Sequence, residues 1–143
     1  MTTVAPPRVV HLDPVDHGLV TPAGGSRDLD AMLDRARAAE ADGATVLVVP
    51  TAGADAPARH HWPATAQALA VLLATTTARV ALDVPAAAWD PTALARFAAS
   101  ASGLAGGRLV IRAVGAGAAT FAAELSARWP GGVVVGDDDA ALA

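Results

Sequence analysis

The sequence predicts an α/β fold in which parallel strands alternate with helices. Short apolar runs rich in valine recur along the chain, and each is followed by a segment with apolar residues at helical spacing. Glycine or proline stands between most of these segments, as expected where the chain turns. At 143 residues the chain has a one-domain length without a linker-like stretch, so we expect a single domain over 1–143.

Five segments have the composition of buried strands. The clearest is TVLVVP at 45–50, a continuous β-branched run typical of a parallel strand that is covered on both faces. The predicted strands lie at 8–12, 45–50, 79–84, 108–114 and 133–135.

Four helices are predicted between these strands from capping residues and apolar spacing. Ser26 is expected to cap the first and Gly43 to end it, while Pro63 suits the first turn of the second. Asp90 and Pro91 start the third, and the fourth spans about 118–128. The side chains expected to pack on the sheet are Leu29, Met32, Leu33, Ala36, Leu69, Leu72, Leu73, Leu94, Phe97, Ala98, Ala101, Phe121 and Leu125.

Composition narrows the classes of partner. Ten basic residues, all arginine, and fourteen acidic residues give a net charge of -4, which disfavours nucleic acid and anionic membranes as partners. The chain has no cysteine, which excludes disulfides, thiolate metal ligands and a cysteine nucleophile. The N-terminal MTTVAPPRVV lacks the pattern of a secretory signal, and the apolar stretch at 64–78 is too short for a membrane span, so we expect a cytoplasmic protein.

Several motifs stand in a recognisable order. The most specific is DPTALARFAASASGLAGGRLVIRAVGAG at 90–117, and it is preceded by LDRARAAEADGATVLVVPTAG at 33–53, by Trp62 with ALAVLLATTTARVAL, and by DHGLV at 16–20. This order resembles the N-terminal half of the luciferase-like flavin-dependent monooxygenases, nearest their alkanesulfonate monooxygenase branch. The resemblance covers roughly two-thirds of the chain, and a complete barrel of that kind needs roughly 250 residues.

The resemblance implies a partial (β/α) barrel of the TIM-barrel type, with about five parallel strands and four helices. An open doubly wound α/β sheet is the alternative fold. Sequential strand order 1-2-3-4-5 favours the partial barrel, whereas a reversal such as 2-1-3-4-5 favours the open sheet. In the partial barrel, the strand face that lines the interior, or the two sheet edges, should be covered by another copy or another chain.

The resemblance further implies a truncated or degenerate monooxygenase domain that uses reduced FMN, supplied by a separate reductase, to oxidise a small substrate. In the family, residues from the second half of the barrel bind the flavin phosphate. The resemblance therefore implies a homo-oligomer or a partner subunit that supplies this half. The alternative is a non-catalytic interaction or oligomerisation module derived from that family.

Candidate site residues are the polar and glycine residues near the carboxyl ends of the strands, where parallel α/β folds bind ligands. Histidine can exchange a proton near neutral pH because its ordinary pKa is about 6.5. The candidate catalytic residues are His11, His17, His60 and His61. The candidate flavin-binding residues are Thr51, Asp83, Arg112, Gly115 and Gly117. No metal site is predicted, because no third ligand accompanies the histidine pair and the chain has no thiolate.

Arg112 lies in an apolar strand, where an isolated buried charge is costly. It should therefore pair with Asp83 on the adjacent strand or face a phosphate or sulfonate of a ligand. The backbone N–H groups at Gly115 and Gly117 are a possible anion site, although the third glycine of a dinucleotide fingerprint is absent.

The remaining candidates have plain structural interpretations beside the functional ones. His60 and His61 suit an exposed loop, and Trp62 suits packing at a helix start. His11 with Asp13 suits a strand end and an Asp-Pro turn. The acidic run at 137–139 is interpreted as a solvated segment or a helix cap rather than a magnesium site.

Overall fold

Five parallel strands in chain order form one sheet in the part of the chain that the structure describes. The computed structural model describes residues 8–12, 22–50, 63–136 and 138–142. Its strands are β1 (Val9–His11), β2 (Val46–Val49), β3 (Arg79–Pro85), β4 (Leu109–Val114) and β5 (Val133–Val135). The order β1-β2-β3-β4-β5 confirms the sequential arrangement of a partial barrel and lacks the reversal of an open doubly wound sheet.

The helices occupy the connections between consecutive strands. They are α1 (Pro22–Ala41), α2 (Ala64–Ala74), α3 (Pro91–Ala105) and α4 (Ala118–Arg128), with short 3₁₀ helices at Ala86–Ala88 and Asp139–Leu142. Side chains of α1 are described from residue 29 onward. None of the helices in this described part of the chain is long and apolar enough to cross a membrane.

All four helices cover the same face of the sheet, called here the outer face. Alternate strand residues such as Leu47, Leu82 and Ile111 share one apolar core with Met32 of α1 and Leu125 of α4. An open doubly wound sheet would carry helices on both faces, so the helix placement also favours the partial barrel.

The opposite face, called here the inner face, has its own small apolar cluster. Val46, Val48 and Ala81 are at most 1% exposed, and they form this cluster with Val110 and Leu142. The chain itself buries the centre of the inner face, which differs from the expectation that another chain must cover it. The two edges of the sheet are still open to another chain, since β1 and β5 each pair with one neighbour among the described strands.

Two local predictions differ from the structure. Helix α1 begins at Pro22, so Ser26 lies inside the helix rather than at its cap. Proline suits this start because its fixed φ matches the first helical turn. Leu73 is 62% exposed, because Ala68, Val71 and Leu72 supply the buried face of α2.

The predicted boundaries of α3 are confirmed. The Asp90 side chain accepts a hydrogen bond from the Thr92 N–H at 3.1 Å, and Pro91 occupies the first turn. Gly106 ends the helix in the left-handed region at φ 71°, where a residue without a Cβ is favoured.

Glu40, near the end of α1, anchors the turn between α2 and β3. Its carboxylate accepts backbone N–H bonds from Thr76, Thr77 and Ala78, the shortest being 2.8 Å. Partial burial raises the pKa of Glu40, but these bonds outweigh it and lower the pKa from 4.5 to about 2. The turn is therefore fixed by a carboxylate that stays ionised.

Arg108, immediately before β4, links α2, α3 and the turn before β3 at the amino-end edge of the sheet. Its guanidinium donates to the carbonyls of Leu72 at 2.6 Å and Ala78 at 2.9 Å, and to the Thr75 hydroxyl at 3.0 Å. It also donates to the carbonyls of Thr75 and Ala105. These contacts satisfy carbonyls at the ends of α2 and α3, which lack partners within their own helices.

Glu40→Gln should lower the free energy of unfolding by about 1–2 kcal/mol at neutral pH, because the charged acceptor is lost. The folded pKa of about 2 lies below the ordinary 4.5, so this stabilisation is present above pH 4.5 and disappears as the pH falls towards 2. Urea unfolding between pH 7 and about pH 3 measures the change. A difference in unfolding free energy between wild type and Glu40→Gln that stays constant over this pH range would contradict the assignment. Asp34→Asn, which removes a carboxylate from an exposed ion pair, is the control.

Arg108→Ala should lower the free energy of unfolding by roughly 2–4 kcal/mol, because several helix-end carbonyls lose their donor together. Arg108→Lys should recover part of this, since an ammonium cannot reach all of them. Thermal and urea unfolding provide the measurement, with the exposed Arg96→Ala as the matched control. Equal stabilities for Arg108→Ala and Arg96→Ala would refute the role.

Candidate functional site

Three predicted site residues lie at the carboxyl-end side of the inner face. Asp83 and Arg112 are register partners on β3 and β4, two positions beyond the inner-face residues Ala81 and Val110. His11 ends β1, two positions beyond Val9, which packs against the same cluster. Because strand side chains alternate between faces, all three belong to the inner face.

Arg112 and Asp83 form a bidentate ion pair. Arg112 Nε donates to Asp83 Oδ1 and Nη2 donates to Oδ2, both at 2.7 Å. The Arg112 side chain is 3% exposed and that of Asp83 is 19% exposed. The hydrogen bonds to Asp83 raise the pKa of Arg112 against the opposing effect of burial. Of the two predicted partners, the structure therefore gives Arg112 the carboxylate on the adjacent strand.

Asp139 extends this pair into a chain of charged groups. Arg112 Nη1 donates to Asp139 Oδ1 at 3.2 Å, and His11 Nε2 lies 2.9 Å from Asp139 Oδ2. The contact with His11 lowers the pKa of Asp139, partial burial opposes it, and Arg112 adds to the lowering. The order in space is His11, Asp139, Arg112, Asp83.

Asp139 is not among the predicted site residues, because the acidic run at 137–139 suits a solvated segment or a helix cap. The cap interpretation holds for its neighbour, because Asp138 Oδ1 accepts the Ala140 N–H at 2.9 Å. Its position in the chain is a usable signal, because Asp139 follows β5. Ligands bind at the carboxyl ends of parallel strands, and this criterion, which points to His11 and Asp83, applies to β5 as well.

Gly115 and Gly117 form the turn between β4 and α4. Their φ angles are 82° and 79°, in the left-handed region, which accounts for glycine at both positions. A Cβ built at either residue would meet no atom within 4 Å, so the backbone there borders open space. Their predicted contact with a cofactor stays a prediction.

Several candidates cannot be placed. They are Thr51, His17, His60 and His61, with Asp13, Trp62 and Asp137, and they lie outside the described residues.

The described site offers a fixed cation, two carboxylates and a histidine on the rim of an apolar patch. Arg112 can donate to an anion or a carbonyl oxygen, and His11 can exchange a proton. Within the ranges that the structure describes, no group of three or more His, Asp or Glu side chains is arranged to hold a metal ion.

The donors and acceptors suit the polar edge of a flavin ring, and the apolar patch suits its flat face. That patch is covered by Leu142, which is 1% exposed. A flavin ring therefore cannot lie against this patch while Leu142 packs there.

Comparison with known proteins finds likeness in structure. The sequence matches no protein-family model and no curated protein. The fold is similar to apo-MsnO8, with a TM-score of 0.61 and 21% identity over 85% of this chain and 37% of that chain. It is also similar to the oxygenating constituent of 3,6-diketocamphane monooxygenase from Pseudomonas putida, a type II Baeyer-Villiger monooxygenase in complex with FMN. Here the TM-score is 0.59 and the identity 15%, over 76% of this chain and 29% of that chain.

A third similar structure is EDTA monooxygenase (EmoA) from Chelativorans sp. BNC1, with a TM-score of 0.57 and 18% identity over 94% of this chain and 34% of that chain. This chain thus spans about a third of the length of the structures it resembles. The likeness establishes the fold, and it does not single out the alkanesulfonate branch.

The Arg112–Asp83 pair should show strong coupling in a double-mutant cycle. Arg112→Met alone should cost about 3–5 kcal/mol of unfolding free energy, because it leaves the Asp83 carboxylate without its partner. The double variant Asp83→Val/Arg112→Met should recover most of this loss, since an apolar pair replaces an ionic one. Urea unfolding of the four proteins measures the coupling, and additive single effects would contradict the pairing.

Proposed function

We propose that this chain is a flavin-binding domain of the luciferase-like monooxygenase type, truncated or degenerate, that provides the first five strands of a (β/α) barrel. One observation carries the proposal: His11, Asp83 and Arg112 converge on the inner face of a sequential parallel sheet, at its carboxyl-end side. Barrel enzymes bind their ligands at this place. The motif block at 90–117 and the FMN-bound structural neighbour point to the same class.

The residues of the chain have definite roles in this proposal. Arg112, held by Asp83 at 2.7 Å, supplies a fixed donor for a carbonyl or anionic oxygen of the ligand. His11 is 53% exposed and exchanges a proton with the ligand or with solvent. Bound FMN would supply the redox chemistry of oxygen activation. The valines of the inner face would exclude water from the ring.

The second candidate is a non-catalytic interaction or oligomerisation module. It is favoured by the edge strands β1 and β5, which each pair on one side within the described residues. An unpaired strand edge is a template for another chain. The partner would be a second copy or a subunit that supplies further strands.

Flavin titration separates the two candidates. FMN fluorescence should be quenched saturably by the purified 143-residue chain. The double variant Asp83→Asn/Arg112→Gln, which leaves no unpaired buried carboxylate, should weaken binding by about tenfold, the equivalent of one charged hydrogen bond. Light scattering on the same samples reports the oligomeric state. No quenching or spectral shift with oxidised or reduced FMN, together with a stable dimer, would favour the interaction module.

A further inference from the structure

The 138–142 segment folds back onto the inner face. Leu142 is 1% exposed and packs in one cluster with Val46, Val48, Ala81 and Val110. Arg79 Nη2 donates a hydrogen bond to the Leu142 carbonyl, which holds the end of the segment. The segment is therefore anchored by apolar burial and by a backbone contact, independently of its acidic residues.

This anchoring sets the Asp139 carboxylate between two nitrogen groups. Arg112 Nη1 lies 3.2 Å from Oδ1, and His11 Nε2 lies 3.1 Å from Oδ1 and 2.9 Å from Oδ2. Arg112 is almost wholly buried, whereas the Asp139 side chain is 45% exposed and that of His11 is 53% exposed. A solvent-borne group can thus reach the place that Asp139 occupies.

Arg112 Nη1 and His11 Nε2 are placed so that both can contact the same oxyanion. Asp83 engages Nε and Nη2 of Arg112, which leaves Nη1 directed towards Asp139. Nη1 and His11 Nε2 then converge on a single carboxylate. Sulfonate and phosphate, like a carboxylate, present two neighbouring oxygen atoms that carry negative charge, and arginine binds all three groups.

We propose that Arg112 and His11 form a site for a small oxyanion on the inner face, and that Asp139 occupies it as a tethered competitor. The 138–142 segment holds the site closed until the carboxylate is displaced. A tethered group competes at a high effective concentration, so the anion must outcompete it or the segment must move. Such a site would take small anions in general, whether or not the chain binds flavin.

Asp139→Asn tests the competition while Leu142 keeps the segment anchored. The probes are methanesulfonate and inorganic phosphate, titrated at constant ionic strength and followed by the backbone amide NMR signals of β4 and of residues 138–142. The variant should bind both anions at least tenfold more tightly than wild type. Asp138→Asn, which removes the neighbouring carboxylate that caps Ala140, should behave as wild type.

Two further variants test the donors. Asp139→Asn/His11→Gln should lose most of the gained affinity, and His11 is exposed enough for its replacement to leave the fold intact. Asp139→Asn/Asp83→Asn/Arg112→Gln removes the guanidinium without leaving an unpaired buried carboxylate, and it should bind neither anion. Equal anion affinity in wild type and Asp139→Asn, or binding that survives in the triple variant, would overturn the proposal.

Riboflavin and FMN distinguish the source of the oxyanion. If FMN gains affinity in Asp139→Asn and riboflavin does not, the phosphate of the nucleotide occupies the site. Tighter methanesulfonate binding without any FMN binding supports the oxyanion site and counts against the flavin proposal. FMN binding that is equal in wild type and Asp139→Asn, with no gain for the small anions, overturns the oxyanion site and leaves the flavin proposal intact.

Discussion

The apolar inner face of the sheet has to be shielded from water, because it carries Val46, Val48 and Ala81. With all four helices on the outer face, a closed barrel would cover the inner face with its remaining strands. In this chain the central residues Val46, Val48 and Ala81 are nevertheless buried, and Leu142 packs against them. The chain thus meets part of the demand that a second barrel half would otherwise meet.

The same arrangement explains where charge is tolerated. The register of β3 and β4 sets Asp83 beside Arg112, and each residue on either side of Arg112 is apolar. A shift of one residue would place the guanidinium beside Leu82 or Val84, where no carboxylate meets it. The ion pair and the strand register therefore support each other, and the polar site stays at the carboxyl-end side.

The local elements followed from the sequence because their signals are local. Asp90 and Gly106 bound α3 through contacts within a few residues, and the valine-rich runs indicate strands directly. The 90–117 block that carries the family resemblance also includes Asp90, Gly106 and Arg108, whose observed contacts stabilise the fold. The Asp139–His11 contact joins positions 128 residues apart, so no local sequence pattern could predict it. The exposure of Leu73 likewise depends on packing between elements.

NMR of the 143-residue chain with labelled methyl groups can show directly whether Leu142 packs on the inner face. We expect nuclear Overhauser contacts from the Leu142 methyls to those of Val48 and Val110, with a protected Leu142 amide. Leu142 methyls at random-coil chemical shifts, without contacts to either valine, would contradict the claim that this chain covers its own inner face.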